Sequence, residues 1–337
     1  MERHGPNVVN ILRVEHTPQV RLSIGLAKGR SVGLEPLSET ARREGAVAAV
    51  NGTFINSSGL PLGLLVDKGV LISAPVHERT AFVVLTDGTG GFERVSLRMW
   101  LQLADGSSLP VHGVNRPAKD GECVVYNVAF GSQTPAYRSE LLLQEGVVIA
   151  RGFGGTGLIP GLVVVSGDPS EQLDTLEPGE PCRLMWELHL AESDVVIPGE
   201  EVWFALGGGP RLVTQGEITV TSDEEHFRPD VSQGRAPRTA MGCTAEGTVL
   251  LVTVDGRRPG FSVGMTLEEL AGLMIELGAV EAMNLDGGAS TTMVVGDQVV
   301  NIPSNGNERA LGTALLVMFE ASDVAEALEG DNHGSIE

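Results

Sequence analysis

The stretch VLLVTVDGRRPGFSVGMTLEELAGLMIELGAVEAMNLDGGASTT, Val249 to Thr292, carries both kinds of secondary-structure signal. Its first six residues are aliphatic or β-branched, have strand length and are followed by Asp255. The segment TLEELAGLMIELGA then places apolar residues at helical spacing, starts with a capping box formed by Thr266 and Glu269, and stops at Gly278. A second strand signal follows and runs into NLDGG, so this stretch predicts a mixture of strand and helix.

The rest of the chain has the punctuation of short strands and turns. It contains 44 glycines and 18 prolines among 337 residues. Apolar runs of strand length occur at residues 46–50, 82–85, 163–165 and 315–319. Asp-Gly pairs, which are typical of turns, occur at residues 87–88, 105–106, 120–121, 255–256 and 286–287. Helical signals are few: we predict one further helix over Ser38 to Arg43 and a short one after Ser322. The predicted fold class is α+β, with a β-rich mixed sheet core and a few packed helices.

The motifs are concentrated towards the two ends of the chain. We expect a single domain over residues 1–320, with a motif-bearing core from about 7–90 and 230–320, an inserted β-rich middle region at about 91–229, and a polar C-terminal tail at 321–337. No internal repeat and no long linker separates the two ends, so both are expected to build one core.

Composition and charge exclude several functions. The formal net charge is −21, whereas nucleic-acid binding draws most of its affinity from lysine and arginine, so we expect no nucleic-acid partner. No apolar run reaches the roughly 18 residues of a membrane span. We expect an exported or cell-envelope protein rather than a cytoplasmic one, with its signal outside these residues. The sequence does not indicate an oligomeric state.

Several familiar site motifs are absent or incomplete. The cysteines Cys123, Cys182 and Cys243 lack metal-ligand or disulfide spacing, so we interpret them as core residues. The glycine motif at residues 152–157 is followed by Ile-Pro-Gly rather than by a helix, which argues against a dinucleotide site. The seven histidines are scattered, and His226 stands out only because an arginine-rich segment lies near it.

Polar side chains cluster instead at predicted strand ends in the last third of the chain. Carboxylates beside guanidinium groups suit a substrate that has an anionic group and a bond needing an acid or a nucleophile. Glycines beside Asp286 would let backbone N–H groups approach an anion, and the hydroxyls that follow can add hydrogen bonds. The alternative is that the Asp-Gly pairs are hairpin turns and that the arginines form surface ion pairs.

These residues resemble a known family, the phosphodiester glycosidases. The family's strongest motif, N-L-D-G-G-G-S-T-T, matches residues 284–292 with Ala289 in place of the third glycine. Further blocks match in the family's order: VNGTFIN at 50–56, GGGPRLVTQG at 207–216, PRTAMG at 237–242, VDGRRPGFSVGMTLEELA at 254–271 and VVNIPS…ER at 299–309. The resemblance implies hydrolysis of a sugar-1-phosphodiester, of the N-acetylglucosamine-1-phosphodiester type, at the glycosidic C1–O bond.

Carried over residue by residue, the resemblance implies a catalytic group and a binding group. The expected catalytic residues are Asp286, Asp255 and Arg238. The expected substrate-binding residues are Asn51, Asn284, Gly287, Gly288, Ser290, Thr291, Thr292, Arg257 and Arg309. Glu269 lies in a matched block but is assigned to helix capping. An alanine at position 289 would be costly, by roughly 1 kcal/mol, if the backbone there needs a positive φ.

Two other functions stay open at this point. The chain could be a non-catalytic carbohydrate-binding envelope protein that keeps the fold. It could also be a metal-dependent phosphodiesterase, with Asp255, Asp286 and Asn284 as oxygen ligands of a divalent cation. The leading interpretation, a hydrolase for a small-molecule or glycan phosphodiester, requires no cofactor.

Overall fold

The computed structural model describes residues 5–167 and 175–320. Its first sheet has six strands, and all neighbouring pairs are antiparallel. In spatial order they are β1 (Val9–Val14), β21 (Val249–Val254), β20 (Arg238–Thr244), β22 (Ala279–Asn284), β18 (Arg211–Thr214) and β19 (Glu217–Ile218). Because β1 pairs with β21 along its whole length, the beginning and the last third of the chain share this sheet.

The second sheet joins the same two parts of the chain. Its antiparallel strands are, in order, β2 (Val20–Leu26), β26 (Thr313–Phe319), β4 (Ala48–Asn51), β23 (Met293–Val295) and β24 (Gln298–Val299). A small sheet beside it consists of β3 (Glu35–Pro36) and β25 (Ala310–Leu311).

Two further sheets hold most of the middle region. The third sheet has the order β16 (Val195–Pro198), β15 (Cys182–Leu190), β8 (Gly90–Leu103), β7 (Arg79–Leu85), β17 (Val202–Gly207), β5 (Leu65–Asp67) and β6 (Val70–Ser73), and β9 (Ser108–Pro110) pairs with β8. The fourth has the order β10 (Gly113–Val114), β11 (Cys123–Tyr126), β14 (Leu162–Gly167), β12 (Ala136–Gln144) and β13 (Val147–Gly154). Its β10–β11 pair is parallel.

The helices cover sheet faces and close short connections. The α-helices are α1 (Leu37–Glu44), α2 (Pro229–Ser232) and α3 (Leu267–Glu276), and 3₁₀ turns occur at Ala27–Gly29, Val128–Phe130, Gly199–Glu201 and Gly288–Ser290. Helix α3 packs its apolar face on the first sheet, and α1 packs on the second. Thr266 and Glu269 form the predicted capping box of α3.

The main core lies where the first three sheets meet. Buried side chains from all three sheets form one cluster, which includes Phe82, Phe204, Met241, Leu251 and Leu315. A second large cluster lies between the third and fourth sheets. The polar ends of the first two sheets are thereby held on a rigid core, which is the basis for placing reactive groups at their strand ends.

The predicted α+β class with a β-rich core is confirmed, as are the helix at Ser38 to Arg43 and the capping box of α3. The 152–157 segment continues from strand β13 without opening a helix. The three cysteines are free; Cys123 and Cys182 are buried and Cys243 is half-buried. Within the described residues, no helix has the length and apolar character needed to cross a membrane. The predicted tail and the helix after Ser322 lie outside the described residues.

Candidate active site

Four strands of the first two sheets bring the predicted site residues to one end of the core. Strand β20 runs antiparallel to β21 and β22, so its first residue, Arg238, lies opposite Val254 at the end of β21. Asp255 follows β21 directly, and Asn284 is the last residue of β22. In the second sheet, β4 ends at Asn51.

Asn51 links the second sheet to the NLDGG segment. Its amide nitrogen donates a hydrogen bond of 2.5 Å to the main-chain oxygen of Asp286. Its amide oxygen accepts from the Thr239 hydroxyl at 2.7 Å and from the Thr292 main-chain N–H at 3.1 Å. Asn51 is 1% exposed, so these bonds are made away from solvent and fix the backbone on both sides of the motif.

Asp286 carries the half-buried carboxylate of the site. Burial raises its pKa above the ordinary value, while the Ser290 hydroxyl, the Gly287 N–H and the charge of Arg309 act in the opposite direction. The Gly287 N–H donates to Asp286 Oδ1 at 2.9 Å. Raised pKa values that result from burial next to specific partners are frequent among reacting carboxylates.

The turn after Asp286 differs from the hairpin turns elsewhere. Gly88, Gly106 and Gly121, which follow Asp87, Asp105 and Asp120, have φ values of 84°, 86° and 75° and lie in surface turns. Gly287, in contrast, is extended, with φ −133°.

The left-handed residue of this turn is Gly288, with φ 63°. A Cβ at this position would lie 3.0 Å from Nη2 of Arg257, so the guanidinium of Arg257 rests against the glycine. Ala289 is not among the residues with positive φ, so its side chain is accommodated without backbone strain.

Two arginines border this turn. Arg309 Nη1 donates to the Ser290 hydroxyl at 3.2 Å, and Arg309 is exposed. Arg257 is also exposed and has a left-handed φ of 61°, a conformation that is uncommon for a residue with a side chain. Within the described residues, neither guanidinium makes an ion pair with a carboxylate. Both are therefore available to an anion beside Gly288 and Ser290.

Asp255 is 1% exposed, and its carboxylate is bonded within the protein. Both of its oxygens accept from the Ile302 N–H at 3.1 Å, and Oδ1 also accepts from the Asn301 amide at 3.2 Å. Asn301 in turn donates to the Thr291 main-chain oxygen at 3.1 Å and accepts from the Met293 N–H at 2.8 Å. Burial raises the pKa of Asp255, whereas its hydrogen bonds and Arg258 lower it. Through Asn301, Asp255 is thus connected to the segment that leads from the motif into strand β23.

Arg238 is 3% exposed, and its guanidinium is bonded to backbone carbonyls. It donates to the oxygens of Met265 at 2.9 Å, Val231 at 2.8 Å and Gly234 at 3.0 Å. Burial lowers its pKa to about 10, and the charge of Arg257 acts in the same direction. Arg238 thus anchors the segment around α2 to the edge of the site.

Buried polar atoms surround the motif. Asn284 donates to the oxygens of Gly209 and Leu285, at 3.0 and 2.6 Å. Its amide oxygen and the hydroxyls of Thr291 and Thr292 have no hydrogen-bond partner among the described residues. Such atoms inside a protein normally bind water or a ligand, so this part of the core has unused hydrogen-bonding capacity.

The structure thus divides the predicted residues into two groups. Asp286, Gly287, Gly288, Ser290, Arg257 and Arg309 surround one turn, whereas Asn51, Asn284, Asp255, Arg238, Thr291 and Thr292 form the buried frame behind it. The contacts of Asp255, Asn284 and Asp286 are separate from one another. No group of three or more His, Cys, Asp or Glu side chains in residues 5–167 and 175–320 is arranged to hold a metal ion.

Sequence reasoning overlooked the buried carboxylate of Glu225. It is fully buried and accepts from the Thr80 N–H, the Thr80 and Thr221 hydroxyls and the Arg211 N–H at 2.5–2.9 Å. A Cβ at Gly209 would lie 2.3 Å from its Oε2, so this network supports the GGGPR loop. Thr80 lies 145 positions away from Glu225, so no local sequence pattern could indicate this network.

Comparison with known proteins points to one family. The family model described as phosphodiester glycosidase matches residues 145–318. A mouse protein, N-acetylglucosamine-1-phosphodiester alpha-N-acetylglucosaminidase, is 30% identical over 127 residues, which are 35% of this chain and 24% of that protein. The matched part spans about a quarter or less of the length of the curated relatives.

Two solved structures share the fold. The structure named "Putative exported protein" from Burkholderia pseudomallei K96243 has a TM-score of 0.75 and 26% identity, covering 93% of this chain and 74% of that chain. The catalytic domain of the zebrafish N-acetylglucosamine-1-phosphodiester alpha-N-acetylglucosaminidase, auto-inhibited by its pro-peptide, has a TM-score of 0.51 and 18% identity, covering 95% and 86%.

Proposed function

The chain belongs to the phosphodiester glycosidase family, and we propose that it hydrolyses a sugar-1-phosphodiester of the N-acetylglucosamine type. The glycosidic C1–O bond breaks, the oxygen of water joins C1, and the bridging oxygen leaves with the phosphate. The products are the free sugar, a phosphomonoester and one proton. The observation that carries this proposal is the half-buried Asp286 carboxylate beside Arg257 and Arg309, neither of which makes an ion pair within residues 5–167 and 175–320.

We assign Asp286 to the sugar side of the breaking bond. Burial raises the pKa of Asp286, and the Ser290 hydroxyl, the Gly287 N–H and the Arg309 charge oppose that shift by stabilising the ionised form, which acts as a base or nucleophile. A phosphomonoester is a good leaving group, so a separate general acid is not required. One carboxylate and the arginines are then sufficient for the chemistry.

We assign Arg257 and Arg309 to the phosphate. Both are exposed guanidinium groups at the turn that follows Asp286, and guanidinium groups match phosphate oxygens in charge and geometry. Because Gly288 has no side chain, the guanidinium of Arg257 can lie directly against it. The phosphate charge that grows as the C1–O bond breaks would be stabilised here.

Asp255 and Arg238 are assigned to positioning rather than to contact with substrate. Asp255 holds Asn301 and Ile302, and Arg238 holds the backbone near α2. Asn51 ties Asp286 to the second sheet. Asn284, Thr291 and Thr292 supply unpartnered buried polar atoms close to the motif, and we assign them to the sugar pocket, directly or through water.

The first test is Asp286→Asn, with Asp297→Asn in an exposed turn as the matched control. Turnover of an N-acetylglucosamine-1-phosphodiester should fall by at least about a hundredfold in the first variant and stay unchanged in the control. Hydrolysis in ¹⁸O-water should place the label on the sugar. Label on the phosphate, or full turnover by Asp286→Asn, would contradict the assignment.

Ala289 has an ordinary φ, so the one departure from the family motif gives no support to the non-catalytic alternative. The metal-dependent alternative needs Asp255, Asp286 and Asn284 to bind one cation, whereas both carboxylate oxygens of Asp255 already accept from the Ile302 N–H. For the location of the protein, we propose an exported or cell-envelope residence, supported by the similarity to the Burkholderia structure named as an exported protein.

A further inference from the structure

A group of basic and aromatic side chains lies beside the GGGPR loop and has no role in the proposed reaction. The rings of His77 and His226 are 5.8 Å apart and meet edge to face. Both histidines are exposed. Next to them, the guanidinium carbon of Arg79 lies 3.9 Å from the centre of the Phe227 ring. We call these four residues, together with Phe54, the His-Arg patch.

The His-Arg patch adjoins the candidate site through two contacts. The Phe54 ring is 5.3 Å from the Phe227 ring, and Phe54 lies three positions after Asn51. A Cβ at Gly209 would lie 2.9 Å from Phe227, and the Gly209 N–H donates to the Asn284 oxygen at 2.7 Å. The patch is therefore next to the strand end that carries the NLDGG motif.

The basic side chains of this patch make no salt bridge within the part of the chain that the structure describes. Arg79 is half-buried and donates only to main-chain oxygens, those of Glu225 and His226 at 3.1 and 3.4 Å. Within the described residues, none of the patch's basic groups makes an ion pair with a carboxylate. Stacking on Phe227 holds the guanidinium in place without pairing it directly with a carboxylate.

The nearby acidic groups are engaged elsewhere or face solvent. Glu225 is the carboxylate whose charge acts on Arg79, and its oxygens are occupied by Thr80, Thr221 and Arg211. Glu78 pairs with Arg94 at 3.6 Å. Asp223 and Glu224 are exposed, and of these only the Asp223 main-chain oxygen contacts His226.

The pKa of His77 is affected by its neighbours in the patch. Burial and the charges of Arg79 and His226 lower the pKa of His77. An anion bound between the three basic groups would oppose that effect and favour protonation. Binding at the patch should therefore strengthen as the pH falls through the ordinary histidine range, near about 6.5.

We propose that His77, Arg79 and His226 form a second anion site that binds a phosphate on the leaving-group side of the substrate, beyond the phosphodiester that is cleaved. This inference rests on the proposed function, because it assigns the patch to the aglycone of that reaction. The preferred substrate class would be a sugar-1-phosphodiester whose aglycone carries a further phosphate. A chain with a net charge of −21 would otherwise repel such a substrate, so a local basic patch is needed to hold it.

The catalytic test compares two N-acetylglucosamine-1-phosphodiesters, one with a methyl aglycone and one whose aglycone ends in a phosphomonoester. The ratio of their kcat/KM values should favour the phosphate-bearing substrate by about tenfold at about pH 5.5 and less at about pH 8. His77→Gln/His226→Gln should bring this ratio close to one at both pH values. His16→Gln, at an exposed histidine in another part of the chain, should preserve it.

A binding test that needs no turnover follows the histidine ring signals of Asp286→Asn by NMR during titration with inorganic phosphate. The signals of His77 and His226, assigned through the single variants, should shift, and that of His16 should not. Ring shifts without turnover of either substrate would overturn the proposed function and support the anion site. Turnover of both substrates with a ratio near one and no ring shifts would overturn the anion site and leave the proposed function standing.

Discussion

The side-chain amide of Asn51 donates to the main-chain oxygen of Asp286, which lies 235 positions later in the chain. The same side chain accepts from Thr239 and Thr292, so one residue joins three segments of the two motif-bearing sheets. The carboxylate of Asp286 is thus positioned by a residue that does not touch it. The VNGTFIN block is needed in this chain because it supplies this connection.

Replacement of Asn51 by alanine should therefore affect both stability and turnover. The change leaves the Thr239 hydroxyl and the Thr292 N–H without their acceptor in a buried position, which costs about 1–3 kcal/mol for each unsatisfied group. Urea unfolding followed by circular dichroism measures the loss of stability. Asn305→Ala, at an exposed loop position, is the control and should leave the midpoint unchanged. An unaltered midpoint in Asn51→Ala would contradict the bridging role.

The two aspartates of the candidate site should respond differently to an asparagine substitution. In Asp255→Asn, the new NH₂ group faces the Ile302 N–H or the Asn301 amide, both of which are donors. With the amide oxygen at the Oδ1 position both donors keep an acceptor but the NH₂ group lies against the Ile302 N–H, and in the other orientation Asn301 loses its acceptor. Either way a donor faces a donor in a buried place, and the free energy of unfolding should fall by about 1–3 kcal/mol.

In Asp286→Asn, the amide oxygen can still accept from the Gly287 N–H. The pKa of Asp286 is higher in the folded chain than in the unfolded chain. As the pH rises above about 3.8, the unfolded chain therefore loses this proton first. The free energy of unfolding falls over this range, until the pH has passed the folded-state pKa. Removing the charge avoids that loss. Thermal unfolding at neutral pH should show Asp286→Asn at or above the wild-type midpoint, and a midpoint well below wild type would show that the carboxylate stabilises the fold.

The elements that the sequence predicted well depend on local interactions. The helix at residues 267–276 is one example, because its capping box and its apolar spacing both lie within a few residues. The strand ends of the last third were also predictable from short apolar runs. Polar residues directly after such runs then pointed to Asp255 and Asp286.

The roles of individual side chains were harder to predict because their partners are distant in sequence. The carboxylate of Asp255 is bound by Asn301, which is 46 positions away, and by the next N–H in the chain. The same dipeptide, Asp-Gly, forms exposed turns at residues 87–88 and 105–106 but is buried at residues 255–256. The His-Arg patch had only a weak signal, the position of His226 near arginines, since His77 lies in a distant part of the chain, in the bend before strand β7.

Exchanging glycine and alanine at two neighbouring positions of the turn after Asp286 should have different effects: substrate binding should depend on residue 288 but not on residue 289. Gly288→Ala places a Cβ 3.0 Å from Arg257 Nη2 at a left-handed φ, which costs about 1 kcal/mol and displaces the guanidinium. The KM for the phosphodiester should rise as a result. Ala289→Gly removes a side chain at an ordinary φ and should lower stability by about 0.4–1 kcal/mol through chain entropy, with little effect on turnover. A clear gain of activity in Ala289→Gly would mean that the alanine side chain occupies space needed by the substrate.

The pH dependence of turnover should report the ionisation of Asp286. Because the ionised form is assigned as the reacting one, kcat/KM for the methyl diester should rise with pH on the acidic side, with a midpoint above the ordinary aspartate value of about 3.9. The charge of Arg309 lowers this pKa, so Arg309→Gln should move the acidic limb to higher pH as well as weaken substrate binding. Arg42→Gln, on the exposed side of α1, is the matched control and should leave the limb in place. Profiles of kcat/KM from about pH 3 to about pH 8 measure the midpoint. A limb that stays in place in Arg309→Gln, or moves to lower pH, would show that another group controls the reaction.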